Sequence, residues 1–467
     1  MEKKVIFSRI IKIFLIALLI FIASSTVAQE KDNHSTFINT IYKTTLAKGA
    51  TYELLRELCE KYPKRLSGSD GAAGAIEWTK KLMQEYEFDR VFLQDVMVPH
   101  WERGEKEVAT IHYGDGKIDL SVLALGRSIA TPSNGISAEV VEVKSHDEVT
   151  ELGRENIEGK IVFYNRPFSQ EFVNTFRGYV ATVNQRSSGP SQAARFGAVA
   201  VVIRSVSTGD DDHPHTGTLS YANDAPQIPA AALGVHSAEK LSTLLQKNPK
   251  LELFLKFNCQ NLPDAQSYNV VGEIKGSTNP DKIIMVGGHL DAWDTGHGAH
   301  DDGAGIMHSI SALRTMQVLG YKPKNTLRVV MFINEENGLR GGKKYAELAV
   351  QNKENHIIAI ESDAGGFTPR AFGIKGADSS LTKLQSWLTY FPDNTISALK
   401  KGYGGADINP LNKADGTPTV GFIPDSQRYF DVHHSPADVF ATVNRRELEL
   451  GTASLAAFIY LVDQFGL

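Results

Sequence analysis

The sequence predicts an α/β fold: a mixed, largely parallel sheet with helices on both faces, interrupted by an inserted second α/β domain. Two observations carry this reading. From Ser267 onward, short apolar runs alternate with helix-length segments, the pattern of a parallel or mixed sheet covered by helices. Between residues 131 and 262 a separate series of short β runs forms a unit with no obvious cluster of chemistry-bearing side chains. At 467 residues, 42% hydrophobic and 22% charged, the chain has room for two domains and the composition of a globular protein.

Residues 1–28 read as a signal peptide. Lys3, Lys4, Arg9 and Lys12 precede an apolar run over residues 14–23, and Thr26-Val27-Ala28 supplies the small residues of a cleavage site. The run is short for a bilayer span, and no Cys marks a lipoprotein junction. The expectation is an exported protein, periplasmic or secreted after cleavage near Ala28, with no stable membrane anchor. Cleavage removes four basic residues and Glu2, a net +3, so the charge moves from −5 to −8. That balance excludes the basic face a nucleic-acid binder needs. Cys59 and Cys259 form a disulfide or stay as thiols; spacing alone does not decide.

Residues 29–130 begin the main domain. A helix is expected over 36–62, ended by Pro63, and a second over 71–86, where Ala75, Ile76, Leu82 and Met83 recur at helical spacing. Strand-like alternation follows at 91–93 and 96–98. The unit over 131–262 shows β runs at 139–143, 160–164, 198–203 and 230–233, with helices at 192–196 and 236–246. Its Asp210-Asp211-Asp212-His213-Pro214-His215 run reads as a solvated loop rather than a metal site. Residues 263–467 complete the main domain. Strands are expected at 282–286, 327–333 and 356–360, and helices at 303–319, 340–350 and 446–465.

Each of those three strands runs into acidic or imidazole residues: His289-Leu290-Asp291, Glu335-Glu336 and Glu361-Ser362-Asp363. In open α/β sheets the site lies beyond the carboxyl ends of the strands. His289 is a candidate metal ligand, and Asp291 could accept its second N–H and fix its tautomer. Asp301-Asp302-Gly303 opens a helix after a glycine-rich stretch; Asp301 could bridge two cations, with Asp302 as the helix cap. Two adjacent carboxylates repel unless one binds metal and the other shares a proton. Glu336 as ligand and Glu335 as general base meet both conditions. Asp363 and His434 complete the ligand set, with Asp438 placed to orient His434. Nitrogen and oxygen ligands without cysteine suit zinc, so two Zn²⁺ per chain are expected.

With those residues in hand, the chain resembles the zinc aminopeptidase and glutamate carboxypeptidase family. The resemblance rests on His289-x-Asp291, on Asp301-Asp302-Gly303 twelve residues after the histidine, and on Glu335-Glu336, Asp363 and His434-x-x-x-Asp438. Arg65-Leu66-Ser67-Gly68-Ser69, the stretch from Pro99 to Glu105, and His433-His434-Ser435 extend it over most of the chain. It implies a zinc exopeptidase fold with a two-metal site, residues 131–262 as an inserted protease-associated domain, and a homodimer. His433 stands where simpler members often have Tyr; Tyr429 is then the candidate oxyanion donor. Three activities fit: an exopeptidase or dipeptidase cutting short unblocked peptides, a carboxypeptidase, or a non-catalytic peptide receptor of the same fold. Asp407, in a Gly404-Gly405-Ala406-Asp407-Ile408 stretch, is a candidate holder of the substrate amino group, with an ordinary glycine turn as the alternative.

Overall fold

The computed structural model describes residues 31–113 and 116–467; the predicted signal peptide lies outside them. Among these residues no helix is long and apolar enough to cross a membrane. Residues 31–48 are helical, and a second helix runs Thr51–Lys61. The single helix expected over 36–62 is therefore broken near Gly49. There the C-terminal helix comes so close that a Cβ on Gly49 would meet the Glu449 carboxylate. That carboxylate accepts from Tyr52 N at 3.1 Å and Thr51 Oγ1 at 3.0 Å, capping the second helix from across the fold. The next helix, Asp70–Glu85, is capped by its own Ser69.

Strand β1 (Arg90–Glu102) follows, joining the two short runs expected there. The chain then leaves to build a second sheet from β2 (Val108–Tyr113), β3 (Gly116–Asp119), β4 (Val122–Ala124), β5 (Ile136–Val143), β6 (Ile161–Tyr164), β7 (Ala200–Arg204), β8 (Ala230–Leu233) and β9 (Glu252–Lys256). Its order is β3-β2-β9-β5-β6-β7-β8-β4, with β5 to β8 parallel. This sheet begins at Val108, earlier than the boundary at residue 131. The reason is non-local: β2 pairs antiparallel with β9, far along the chain, and β4 with β8.

β10 (Gln260–Ile274) returns along β1, antiparallel to it. The first sheet is completed by β11 (Asn279–His289), β12 (Asn325–Phe332), β13 (Asn355–Glu361), β14 (Pro369–Lys375), β15 (Ala398–Lys401) and β16 (Thr419–Pro424), in the order β1-β10-β12-β11-β13-β16-β14-β15. Its centre, β12-β11-β13-β16, is parallel, and antiparallel pairs flank it. Every residue of β12 is buried, as a strand covered on both faces requires. Leu327, Val329 and Met331 face a core shared with the helices Ala304–Val318 and Arg445–Phe465; Val330 and Phe332 face Tyr345, Ala346 and Leu411 on the other side. Cys59 and Cys259 are free thiols in different cores, so they do not pair.

Candidate metal centre

β11 ends at His289, and Glu335-Glu336 and Asp363 follow β12 and β13, so three adjacent parallel strands aim their carboxyl ends at one place. His434 arrives from the loop after β16, with φ of 59°. Asp301 lies between the two histidines: His289 Nε2 is 3.2 Å from its Oδ1 and His434 Nε2 is 3.1 Å from its Oδ2. His289 Nε2 is also 3.4 Å from Asp363, and His434 Nε2 is 3.0 Å from Glu336. The five predicted ligands thus come together around Asp301, with His289 also near Asp363 and His434 near Glu336.

The supporting contacts differ in two details from expectation. The Asp291 carboxylate is 3.9 Å from His289 Nδ1, and it is the Asp291 carbonyl that accepts that N–H, at 2.9 Å. The carboxylate accepts instead from Glu335 N at 3.1 Å and Glu336 N at 3.3 Å, holding the two glutamates in register. Likewise Asp438 does not orient His434; it accepts from His300 N at 2.8 Å and Asp301 N at 3.1 Å, fixing the shared carboxylate's backbone. Both departures have one cause. Unpaired backbone N–H groups, after β12 and in the turn that opens the Ala304–Val318 helix, claim the buried carboxylates before the imidazoles can. Asp302 does what its position suggests, accepting from Gly305 N at 3.0 Å at the start of the helix and from His289 N at 3.1 Å.

The electrostatics are those of a crowded acid cluster. Burial pushes Glu335 well above the usual carboxylate range, with Asp363 and Glu336 adding to it. Glu336 is pushed up to about 7, again mainly by burial. Burial would lower His434, but Glu336 and Asp301 hold it at about 10. Asp301 is held well below its usual range by the imidazoles, against burial. Among the described residues no Lys or Arg pairs with these acids, and Asp301 Oδ2 and Glu336 Oε1 are buried without a hydrogen-bond donor. A cluster short of positive charge, with imidazole nitrogens converging on orphaned oxygens, fits divalent cations.

A cavity of about 580 Å³ opens above this floor. Glu335 lines it, as do Tyr403, Tyr429 and His433 from the main domain and Arg127, Tyr179 and Arg186 from the second sheet's domain. Burial, with Asp301 and Asp363 nearby, keeps the Tyr429 phenol well above its usual pKa and therefore a proton donor; Tyr403 lies at the rim, about half exposed. Ala406 reaches the wall, whereas Asp407 is fully buried with both carboxylate oxygens lacking partners. Sequence reasoning missed Tyr403 and Arg186, which carry no motif and join the site only through tertiary folding. His433 is marked in the sequence by its adjacency to His434 and as the position where simpler members of the resembled family often have Tyr.

Convergent imidazoles and carboxylates at the ends of parallel strands, with a raised carboxyl beside them, give this α/β protein the donor set and base of a metal-dependent hydrolase. Comparison with known proteins takes the assignment further. The profile described as peptidase family M28 matches residues 269–459. Carboxypeptidase Q of Xenopus laevis is 39% identical over 416 residues, covering 89% of this chain and 86% of that one; the Homo sapiens protein is 36% identical over the same shares. The chain belongs to peptidase family M28. A peptidase M28 precursor from Shewanella amazonensis superposes with a TM-score of 0.88 at 32% identity, covering 93% of this chain and 97% of that one.

Proposed function

We propose that this chain is an exported two-zinc exopeptidase that hydrolyses dipeptides and short unblocked peptides, with Glu335 as general base. The observation that carries the reading is the position of Asp301, one oxygen toward each histidine, which suits a carboxylate bridging two cations. His289 and Asp363 would hold one metal and Glu336 and His434 the other. Zinc bound there supplies Lewis acidity, polarising the scissile carbonyl and making water a stronger acid near neutral pH.

The remaining steps belong to the chain. Glu335, with its affinity for protons raised by burial, takes a proton from the attacking water and passes it to the leaving amine. Tyr429, kept protonated, donates a hydrogen bond to the oxyanion as charge develops. The second sheet's domain acts as a protease-associated cover that closes the cavity and limits substrate length. A cavity of about 580 Å³ is of the size that encloses small ligands rather than long chains. Complete occupation of the five ligand positions and the base position speaks against a receptor that has lost its chemistry.

The test combines a count of zinc per chain with rates on a dipeptide, its N-acetylated form, its C-amidated form and a long peptide. Two zincs and hydrolysis confined to the short substrates are expected. A single zinc, or rapid cleavage within the long peptide, would refute the proposal.

A further inference from the structure

The Arg65-Leu66-Ser67-Gly68-Ser69 stretch has no part in the chemistry proposed above, yet Arg65 and Ser67 are buried beside the loops that carry the site. Arg65 gives its three guanidinium nitrogens to the carbonyls of Leu290, His297 and Gly298, and its own carbonyl accepts from Ala292 N at 3.3 Å. It therefore grips the chain on both sides of Asp291 and again just before Asp301. Two residues on, the Ser67 hydroxyl donates to Asn337 Oδ1 at 3.0 Å and accepts from Asn334 Nδ2 at 2.8 Å, with Pro99 O farther away at 3.4 Å. Asn334 Nδ2 also donates to Asn337 Oδ1, which closes a triangle of three buried polar side chains. Asn334 and Asn337 stand immediately before and after Glu335-Glu336. One short segment thus holds the loop of the ligands with one residue and the loop of the base with another.

The base loop needs such a hold. β12 ends at Phe332, and beyond it Asn334 has φ of 71° and Leu339 φ of 57°, conformations that side-chain-bearing residues rarely adopt. Glu336, as a ligand, would be drawn into place by its cation. Glu335, as base, has no such anchor: its N–H donates to Asp291 at 3.1 Å, but among the described residues its carboxylate has no hydrogen-bond partner. Its position is set by the loop alone. A general base works only within hydrogen-bond reach of the water it deprotonates, and a displacement of about 1 Å can cost about a hundredfold in rate.

We propose that Ser67 is a positioning residue for the base. By joining Asn334 to Asn337 it holds the Glu335 carboxylate at a fixed distance from the ligands whose loop Arg65 secures. This rests on the assignment of Glu335 as base and adds the group that keeps it in place. Without the hydroxyl, Asn337 Oδ1 loses one of its two donors and the loop is free to relax, while the cations and the cavity wall stay where they are.

The experiment measures kcat, KM and zinc content of the zinc-loaded full-length protein on a dipeptide, in the wild type, Ser67→Ala, Glu335→Gln and the double variant. Ser67→Ala should lower kcat about ten- to a hundredfold, with KM within about twofold and zinc retained. In the Glu335→Gln background the same change should cost less than about threefold, because a base that is gone cannot be misplaced. Asn337→Ala removes the acceptor of the Ser67 hydroxyl and repeats the test should circular dichroism show that Ser67→Ala fails to fold. An unchanged kcat in Ser67→Ala would overturn the proposal. Loss of zinc would also overturn it, because the hydroxyl would then act on the ligands. If Glu335→Gln is slow and the two losses multiply in the double variant, Glu335 remains the base and only the role of Ser67 falls. Near-normal turnover in Glu335→Gln would instead refute the base assignment, and this inference with it.

Discussion

The first sheet delivers His289, Glu335, Glu336 and Asp363 from three adjacent strand ends, whereas the second sheet's domain delivers no ligand and grips the loop that carries His434. Thr216 N donates to His434 O at 2.9 Å, His215 Nδ1 meets His433 O at 2.6 Å, and Ser207 Oγ donates to Phe430 O at 2.9 Å. Phe176 stacks on Tyr429 and Tyr179 on Phe430. Four of the candidate site residues sit at strand ends, while the second sheet's region is joined to the His434 loop through backbone carbonyls and aromatic faces. On the proposed function, the contrast separates two properties: chemistry resides in one region and access in the other.

Metal removal tests that division most severely. Prolonged chelation is expected to abolish peptide hydrolysis, and added zinc or cobalt to restore it, because the acids of the first sheet are left without their cations. Far-ultraviolet circular dichroism should change little, since both sheets have apolar cores away from the centre. Activity that persists through chelation would remove the first sheet's claim to the chemistry. Glu335→Gln comes next, with turnover down at least about a hundredfold and zinc retained. Near-normal turnover in that variant would strip Glu335 of its role as base.

Asp291→Asn is expected to cost about ten- to a hundredfold in zinc affinity or activity. The carboxylate now accepts from both Glu335 N and Glu336 N, and an amide offers a single oxygen for the two. Zinc titration and steady-state rates would measure it. An unchanged variant would mean that the strand end alone keeps the glutamates in place.

The same contrast explains what could be read from the sequence. The first sheet's ligands were legible because each follows an apolar strand within a few residues, so local pattern and site coincide. β11, β12, β13 and the C-terminal helix all fall where periodicity put them. The second sheet's extent was not legible, because β2 and β4 are assigned by partners more than a hundred residues away. The acidic run at 210–215, read as a solvated loop, divides in the fold. Asp210 is exposed beside His236, Asp212 accepts from Ser237 N and Oγ, and His215 is buried against the His433 carbonyl. No spacing rule distinguishes those three fates, since they depend on which segment lies opposite.

The smallest expected effect concerns stability in acid, where each region holds buried histidines. In the second sheet's unit His213 and His236 are about half exposed, while His215 is buried and lowered by burial to about 4. In the main domain His308 is enclosed, with its ring nitrogens 3.1 Å from Ser362 Oγ and 3.1 Å from Leu448 O, and burial lowers its pKa to about 3. His356, near Tyr345 and Arg328, is lowered to about 3, again chiefly by burial. Their folded values lie below the unfolded value of about 6.5, so the unfolded chain binds more protons in acid. The stability tied to these rings is therefore complete above about pH 6.5 and is lost as the pH falls from there toward 3. At pH 5 the loss is about 2 kcal/mol for each histidine. Urea unfolding of the metal-free protein at pH 7.5 and pH 5 would read it without interference from zinc release. His308→Asn should lower stability at both pH values yet shrink the difference between them by about 2 kcal/mol. A pH dependence identical in wild type and His308→Asn would show that the buried ring is not where acid acts on the main domain.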